Sequence, residues 1–420
     1  MPKVKELLIS LDNILLAAKN LQGIATQTPL MDNYTLSERF NANISLKRED
    51  LQVVRSYKIR GAYNKIDSLS TEEIEHGIVC ASAGNHAQGV AFACAKKNIK
   101  GVIFMPSPTP SQKVNQVKMF GKEYVEIRLV GDTFDDAYAE AVAYANKHDC
   151  TFVHPFDDIK IIEGQGTVGK EIIEQTGQSI DYLILPIGGG GLAAGVASYF
   201  KMLSPKTKII GVEPEGAPAM KKSLEVGEIV NLNKIDKFVD GAAVKSVGSL
   251  NYQICAELLD EVVTVPEGLV CTEILNLYNE QAIVVEPAGA LSIAALNSLK
   301  NKIENKNVVC IVSGSNNDIT RTMEIKERSQ LYLGLKHYFI LNFPQRAGAL
   351  REFLNDILGP DDDITHFEYS KKNNREKGPA LIGIELKQSD DLPGLLQRLN
   401  DKNFKYEYVN DQPQLYHYLI

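Results

Sequence analysis

Residues 182–192 read Tyr-Leu-Ile-Leu-Pro-Ile-Gly-Gly-Gly-Gly-Leu, a short apolar run followed by the four glycines Gly188, Gly189, Gly190 and Gly191. The apolar run predicts a buried strand, and the alanine-rich residues 192–203 predict a helix. Glycines let backbone N–H groups approach an anion closely, and a helix start adds a partial positive charge of roughly half a unit. The stretch therefore predicts a phosphate-binding loop, since a tight packing turn would need fewer glycines.

The same alternation of strand and helix extends outward from this loop, from Ile44 to about Ile325. Helical patterns such as residues 87–98 and 133–148 separate most of the short β-branched runs. The predicted strands are residues 44–47, 77–80, 101–105, 123–129, 151–154, 182–186, 208–212, 261–265, 283–285 and 308–312. This alternation is typical of an α/β fold with parallel sheets covered on both faces, in which ligands bind beyond the carboxyl ends of the strands.

A second domain is predicted after residues 326–335, which are charged and irregular. The pattern then predicts strand, helix, strand, strand, helix and strand at residues 336–343, 347–358, 363–371, 379–387, 391–402 and 404–409. This order is the α+β, ferredoxin-like arrangement, for which about eighty residues are enough. We therefore expect a first domain of residues 1–325, a linker of residues 326–335 and a second domain of residues 336–420.

The composition is that of a globular protein and excludes several classes of function. Of the 420 residues, 44% are hydrophobic and 23% are charged, and the net charge of -8 predicts no surface for nucleic acid or an anionic membrane. No apolar run is long enough to span a membrane. The apolar residues from Leu7 to Leu21 recur at helical spacing and predict an amphipathic first helix.

The cysteines and histidines give no sign of a metal centre. The six cysteines are widely spaced, without the close pairs of zinc sites or redox motifs, and the seven histidines lack metal-ligand spacing. We therefore expect reduced thiols and a cytoplasmic protein.

A candidate reactive lysine lies in the run Ser56-Tyr57-Lys58-Ile59-Arg60-Gly61. A lysine amine is a poor nucleophile while it is protonated, with a reference pKa near ~10.4, so a reactive lysine must be desolvated or lie near another cation. Arg55 and Arg60 are close in sequence and could supply that cation. The run also fits a solvated basic start to a helix, and both interpretations stay open at this point.

The glycine loop also matches the fingerprint of a dinucleotide site. Gly189-x-Gly191-x-x-Ala194 has the required spacing, and Glu213 ends the next predicted strand, where an acid would bind a ribose. This alternative predicts a nicotinamide enzyme and gives Lys58 no role.

Two further polar turns follow predicted strands. Residues 82–89 read Ser-Ala-Gly-Asn-His-Ala-Gln-Gly, and residues 313–317 read Ser-Gly-Ser-Asn-Asn. A helix N-terminus with small polar residues suits a carboxylate, and the Asn85 amide can donate to a phenolic or carbonyl oxygen. The alternative is that these side chains only cap helices and that His86 lies satisfied under its turn.

The lysine, the glycine loop and both polar turns occur in an order that resembles the fold-type II family of pyridoxal phosphate enzymes. Within it, the chain resembles the threonine and serine dehydratases through four motifs between about residues 28 and 316: Ser-x-Lys-x-Arg-Gly, Ser-x-Gly-Asn-His, Gly-Gly-Gly-Gly-Leu and Glu-Pro-x-Gly-Ala. Residues 343–350 and 364–369 resemble an ACT-like regulatory domain, present in one copy as in the short form of the biosynthetic enzymes.

The resemblance implies pyridoxal 5'-phosphate as cofactor and a two-lobed catalytic domain like that of the tryptophan synthase β subunit. The smaller lobe would be about residues 44–157, and the larger lobe residues 1–43 and 158–325. Lys58 would carry the cofactor covalently and later accept the substrate's Cα proton. The implied cofactor contacts are Asn85 at the ring oxygen, Ser313 at the pyridine nitrogen, and Gly188, Gly189, Gly190, Gly191 and Leu192 at the phosphate.

The resemblance also implies L-threonine as the substrate. Elimination of water would give an enamine, which hydrolyses to ammonia and 2-oxobutanoate for isoleucine biosynthesis. A serine at position 313 is too weak an acid to protonate the pyridine nitrogen, which favours loss of a β-substituent. Isoleucine as inhibitor and valine as counter-effector would act through the ACT-like domain of a homodimer or homotetramer. The substrate carboxylate would lie at Ser82, Ala83, Gly84 and His86.

Two positions depart from the family pattern. Racemase-like relatives that bind a divalent cation have an acid where this chain has Ala219, so no metal site is expected, and Ala347 replaces the proline usual in ACT loops. The alternatives within the family are an L-serine dehydratase or racemase and a catabolic threonine enzyme. Outside it they are an NAD-binding dehydrogenase and a non-catalytic amino-acid sensor.

Overall fold

A computed structural model of the protein describes residues 9–369 and 376–412. In this part of the chain two units divide between Ile319 and Thr320. The strands of the first unit are β1 (Leu30–Asp32), β2 (Asn43–Arg48), β3 (Ile78–Ala81), β4 (Gly101–Met105), β5 (Val125–Leu129), β6 (Thr151–Phe152), β7 (Tyr182–Pro186), β8 (Lys208–Pro214), β9 (Glu261–Val265) and β10 (Asn307–Val312).

The α-helices of the first unit mostly connect one strand to the next. They are α1 (Leu11–Asn20), α2 (Tyr34–Phe40), α3 (Lys58–Asp67), α4 (Thr71–Ile74), α5 (Asn85–Lys97), α6 (Ser111–Gly121), α7 (Phe134–His148), α8 (Ile159–Gln175), α9 (Gly191–Leu203), α10 (Ala219–Val226), α11 (Ser249–Leu258), α12 (Glu267–Gln281) and α13 (Pro287–Ile303). Ser10 caps the predicted amphipathic first helix by accepting from the backbone N–H of Asn13. Leu7 and Leu8 of that prediction lie outside the described residues.

Two sheets form the two lobes of the first unit. The larger sheet has the order β1-β2-β10-β7-β8-β9, and every pair is parallel except β1 with β2. The smaller sheet has the order β5-β4-β3-β6 and is entirely parallel. The predicted α/β fold with two lobes and parallel sheets is therefore confirmed.

Two details of the prediction differ from the structure. Strand β2, assigned to the smaller lobe by the predicted boundary at about residue 44, pairs with β10 of the larger sheet. Residues 283–285 form no strand. Val285 is instead buried in the connection between α12 and α13, and this burial accounts for an apolar residue at that position. The pattern of apolar residues cannot show which sheet a strand joins, nor distinguish a strand from a buried connection, because each appears in the sequence as a short apolar run.

The helix that begins at Lys58 is packed tightly against α8. A Cβ atom at Gly164 of α8 would lie 2.6 Å from the carbonyl oxygen of Arg60, so only glycine permits this approach. The Arg60 guanidinium is buried and donates to Glu49 at 2.8 Å and to Glu171 at 2.7 and 2.8 Å. These contacts fix the start of α3 within the first unit.

The second unit has the predicted order of elements. An antiparallel sheet with the order β12-β13-β11-β14 packs its apolar side chains against two helices around Phe339, Phe343 and Phe353. Its elements are α14 (Thr322–Tyr332), β11 (Lys336–Pro344), α15 (Ala349–Asp356), β12 (Asp363–Tyr369), β13 (Lys377–Glu385), α16 (Leu392–Asp401) and β14 (Tyr406–Tyr408). The ferredoxin-like prediction is confirmed.

One segment of the second unit differs from its prediction. Much of the supposed linker, residues 326–335, is helical because it belongs to α14. Residues 370 and 371, at the end of a predicted strand, lie outside the described part of the chain. In residues 9–369 and 376–412, no α-helix is both long and apolar enough to cross a membrane.

Candidate active site

A cavity of about 880 Å³ lies in the first unit, where the carboxyl ends of β3, β7 and β10 point. Three turns follow these strands: the asparagine turn (residues 82–86), the glycine loop (residues 188–191) and the serine turn (residues 313–316). The predicted site residues that line the cavity are Lys58, Ser82, Ala83, Gly84, Asn85, His86, Gly188, Gly189 and Ser313. Residues from distant parts of the sequence are therefore brought to one place, as the sequence predicts.

Lys58 is the first residue of α3 and reaches into this cavity. Its Nζ donates to the carbonyl oxygen of Pro155 at 3.0 Å. Burial lowers the pKa of the amine to about 8, and the nearby Glu286 carboxylate opposes this change. The interpretation as a solvated helix start is wrong, because the amine is desolvated. Arg60 is not the activating cation, since it is paired with two carboxylates.

The glycine loop leads directly into α9. Gly190 has a φ of +95°, and a Cβ atom at Gly189 would lie 2.3 Å from the ring of Phe156. Asn251 donates to the carbonyl oxygen of Gly189 at 2.8 Å, which holds the loop from the side of α11. The first N–H groups of a helix have no partner inside it, so the amides near Gly191 suit a phosphate. Gly190, Gly191 and Leu192 are not among the residues that line the cavity.

The alternative interpretation, in which side chains of the asparagine turn only cap the helix that follows, is not what the structure shows. Helix α5 has no side-chain cap, and Ser82 Oγ instead accepts from the backbone N–H of Gly84 at 3.2 Å. Asn85 donates to Glu286 at 2.6 Å and accepts from Asn316 at 2.5 Å. This turn therefore leaves the first N–H groups of α5 available to a ligand.

The His86 ring is buried with a hydrogen-bond partner under its turn, as the alternative interpretation predicted for this residue. Its Nε2 contacts the carbonyl oxygen of Val153 at 3.1 Å, and the side chain is buried. Burial, together with the positive charge of Lys58, lowers the pKa of His86 to about 3. Only the backbone N–H of His86 is therefore suited to a substrate carboxylate.

The serine turn is joined to the loop that precedes Lys58. Tyr57 donates to the carbonyl oxygen of Ser313 at 3.2 Å, and Ser315 donates to that of Arg55 at 2.9 Å. Ser313 is 2% exposed and lines the cavity. The turn thus places a neutral hydroxyl in the same cavity as the Lys58 amine.

Three residues of the site were not predicted to have a role. Glu286 and Asn316 hydrogen-bond to Asn85, and Phe156 lies beside the glycine loop. Glu286 begins the Glu-Pro-x-Gly-Ala motif, and Asn316 lies in the polar turn of residues 313–317, but neither pattern indicates a contact with Asn85. No local pattern distinguishes Phe156.

The dinucleotide alternative fails at its acidic residue. The Glu213 carboxylate is buried and accepts from the backbone N–H groups of Met220 at 2.7 Å and Lys221 at 2.8 Å. It therefore stabilises the start of α10, near Ala219, and is not available to a ribose. Among the described residues, no group of three His, Cys, Asp or Glu side chains could hold a metal ion.

Comparison with known proteins decides the family. The sequence pattern described as pyridoxal-phosphate dependent enzyme matches residues 21–314, and that of the C-terminal regulatory domain of threonine dehydratase matches residues 327–419. The chain belongs to the pyridoxal-phosphate dependent enzymes. The residues in the cavity fit this cofactor, since they combine a desolvated amine, a glycine loop at a helix start and two neutral polar side chains.

Relatives of this pyridoxal-phosphate dependent enzyme match it over its whole length. It is 58% identical to the biosynthetic L-threonine dehydratase of Halalkalibacterium halodurans, over 98% of this chain and 99% of that protein. It is 56% identical to that of Bacillus subtilis, over 100% of both chains. The processed form of threonine deaminase isoform 2 from Solanum lycopersicum matches with a TM-score of 0.71 and 40% identity, over 76% of this chain and 94% of that one.

Proposed function

We propose that this enzyme is an L-threonine ammonia-lyase, which converts L-threonine to 2-oxobutanoate and ammonia at the first step of isoleucine biosynthesis. The observation that carries this function is the desolvated amine of Lys58 in one cavity with Asn85, Gly188 and Ser313. Full-length similarity to biosynthetic threonine dehydratases, including the regulatory domain, supports threonine as the substrate.

Lys58 is the proposed covalent attachment point and general base. Pyridoxal phosphate, when bound, supplies an electron sink that stabilises the negative charge left on Cα when its proton leaves. The amine has a pKa lowered to about 8, so much more of it is neutral near neutral pH than for a solvated lysine. Its contact with the Pro155 carbonyl oxygen, at 3.0 Å, orients it without adding a charge.

The proposed cofactor contacts divide between the two ends of the molecule. The backbone amides of Gly188, Gly189, Gly190, Gly191 and Leu192, at the start of α9, would bind the phosphate. Asn85 would donate to the ring oxygen. Ser313 would contact the pyridine nitrogen, and its hydroxyl would leave that nitrogen unprotonated, since a serine is a very weak acid.

The proposed substrate site is the asparagine turn at the start of α5. Backbone N–H groups of Ala83 and His86, on either side of Gly84, would bind the threonine carboxylate, since the partial charge of the helix favours an anion there. The Ser82 hydroxyl already accepts from the Gly84 N–H, so its own proton is available to a carboxylate oxygen. The turn would thus orient threonine with its Cα proton toward Lys58.

Regulation, assembly and location complete the proposal. Isoleucine would bind the second unit as inhibitor, with valine as counter-effector, because the matching regulatory domain is that of threonine dehydratase.

The chain would form a homodimer or homotetramer, which would cover the exposed side chains of Met31, Tyr34 and Tyr278. The reduced cysteines, all free in the structure, suit a cytoplasmic enzyme.

A comparison of lysine variants tests this function. The wild-type chain should absorb visible light from bound pyridoxal phosphate, form 2-oxobutanoate from threonine faster than it forms pyruvate from serine, and be labelled at Lys58 by borohydride reduction. Lys58→Ala should lose the label and the turnover, whereas Lys65→Ala, on the same helix but paired with Asp158, should keep both. A colourless wild type that binds NAD, or a label at another lysine, would contradict the proposal.

A further inference from the structure

The orientation of the Asn85 amide is fixed by a chain of hydrogen bonds. The carbonyl oxygen of Val54 can only accept, so the Asn316 Nδ2 that lies 2.9 Å from it must be the donor. The same Nδ2 donates to Asn85 Oδ1 at 2.5 Å. The Nδ2 of Asn85 therefore faces Glu286, whose Oε1 accepts from it at 2.6 Å. This leaves one N–H of the Asn85 amide unused in a residue that lines the cavity.

The Glu286 carboxylate is itself held in place by the serine turn. The backbone N–H of Asn316 donates to it, and the backbone N–H of Glu286 donates to the carbonyl oxygen of Gly314 at 3.1 Å. A Cβ atom at position 314 would lie 2.4 Å from Oε1, so the glycine there makes room for the carboxylate. Glu286 is 5% exposed and therefore cannot turn to solvent.

Charged groups from several elements surround this carboxylate. Burial raises the pKa of Glu286 to about 7, with Asp240 acting in the same direction and Lys113 in the opposite one. At the start of α3, burial lowers the pKa of Lys58 and raises that of Tyr57; the charge of Glu286 opposes the first change and adds to the second. The carboxyl that accepts from the Asn85 amide at 2.6 Å is thus expected to change its charge near neutral pH.

We propose that Glu286 is a positioning residue, which holds the Asn85 amide so that its unused N–H donates to the ring oxygen of pyridoxal phosphate. This inference depends on the proposed function for the identity of the cofactor. An ionised Glu286 holds the amide through a charge-assisted hydrogen bond, which is roughly twice as strong as a neutral one. A protonated Glu286 holds it no better than a glutamine would.

The test compares cofactor binding by full-length variants above and below neutral pH, without threonine. At about pH 6, the wild type and Glu286→Gln should bind pyridoxal phosphate with affinities that agree within about twofold, because the carboxyl is then largely neutral. At about pH 8.5, Glu286→Gln should bind about fivefold more weakly, and the visible absorption maximum of its bound cofactor should differ from that of the wild type. Glu286→Ala should bind at least about tenfold more weakly at both pH values.

Glu213→Gln is the matched control, because the Glu213 carboxyl is also buried with a pKa raised to about 7 but accepts from backbone amides of α10. The affinity of Glu213→Gln for pyridoxal phosphate should match that of the wild type at both pH values. An equal loss of affinity in Glu286→Gln at both pH values, or none at either, would overturn the proposal, even if Glu286→Ala fails to fold. Since threonine enters neither measurement, a chain that binds the cofactor but leaves threonine unchanged contradicts only the proposed reaction.

Discussion

The backbone N–H of Tyr57 donates to the carbonyl oxygen of Ser313 at 3.2 Å. The adjacent residues Ser56 and Gly314 form an isolated antiparallel bridge. Through these contacts, the position of the Lys58 backbone relative to the serine turn is set by backbone hydrogen bonds, and the amine at the end of its side chain is oriented by the Pro155 carbonyl oxygen. A cofactor bonded to the lysine would therefore extend toward Ser313 from a fixed point of the backbone.

The pH dependence of cofactor capture should reveal the desolvated amine. Only a neutral amine attacks a carbonyl, and burial lowers the pKa of Lys58 to about 8. When cofactor-free enzyme is mixed with pyridoxal phosphate, the capture rate should rise about tenfold per pH unit below this pKa and level off above it. Stopped-flow absorbance measures this rate. A rise that continues past about pH 9.5 would indicate an ordinary solvated lysine.

Gly189→Ala should disrupt the phosphate loop. A Cβ atom at this position would lie 2.3 Å from the Phe156 ring, so the loop or the ring must move. We expect at least about a tenfold loss of affinity for pyridoxal phosphate, the size of one lost hydrogen bond to a charged group. Equilibrium titration measures it. Gly177→Ala is the control, because nothing lies within 4 Å of a Cβ there, and equal affinities of the two variants would contradict the role of the loop.

The sequence predicted the site better where a turn follows a strand than where a side chain acts from a distance. Lys58, Asn85, Gly188 and Ser313 could be identified because each lies in a local motif, and the rule that ligands bind beyond the carboxyl ends of parallel strands brought them together. Their roles stay predictions. Glu286 was missed as a contact of Asn85 because its partner is 201 residues away in the chain.

Two further predictions were wrong because they too depended on contacts between residues that are distant in the sequence. Arg60 was taken as a cation near the lysine, yet its pairing with Glu49 and Glu171 depends on how α3 packs, which a linear sequence does not show. Glu213 has the correct spacing for a ribose contact, but its carboxylate binds the start of α10. In both cases the sequence identified a charged residue, but the prediction assigned it the wrong interaction partner.

Removal of the Arg60 side chain should destabilise the first unit strongly. Arg60 is 1% exposed and is the shared partner of Glu49 and Glu171, so its loss leaves buried negative charge unpaired. Arg60→Ala should lower the free energy of unfolding by about 3–5 kcal/mol. Urea unfolding followed by circular dichroism measures this. Lys302→Ala, which removes a more exposed ion pair with Glu261, should leave the midpoint close to that of the wild type, and similar midpoints for both variants would contradict the importance of the network.

Isoleucine sensitivity should depend on the second unit. A chain that ends after Ile319 keeps every residue of the cavity, so we expect it to retain threonine turnover. The same chain should lose inhibition by isoleucine, because the matching regulatory sequence begins at residue 327. Steady-state assays of both chains with and without isoleucine measure this. Full inhibition of the shortened chain would place the effector site in the first unit.

Two ion pairs between residues that line the cavity should strengthen the binding of threonine. Lys113 of α6 pairs with Asp240, and Asp135 of α7 pairs with Lys245 at 2.5 Å. Helices α6 and α7 pack against the smaller sheet, whereas Asp240 and Lys245 lie in the segment between α10 and α11, whose Leu232 and Val247 are buried in the core around the larger sheet. Each pair therefore joins the two lobes beside the cavity, which all four residues line.

Because these pairs are partly exposed, each should contribute no more than about 1 kcal/mol to the contact between the lobes. Lys113→Met and Asp240→Asn should each raise the KM for threonine by about threefold, and the double variant should raise it no further, since both changes remove the same interaction. The charge-reversed pair, Lys113→Asp with Asp240→Lys, should recover most of the loss. Added salt should raise the KM of the wild type but not that of the double variant, because it screens only a pair that exists. Additive effects of the two single substitutions would show that the charges act independently and not as a connection between the lobes.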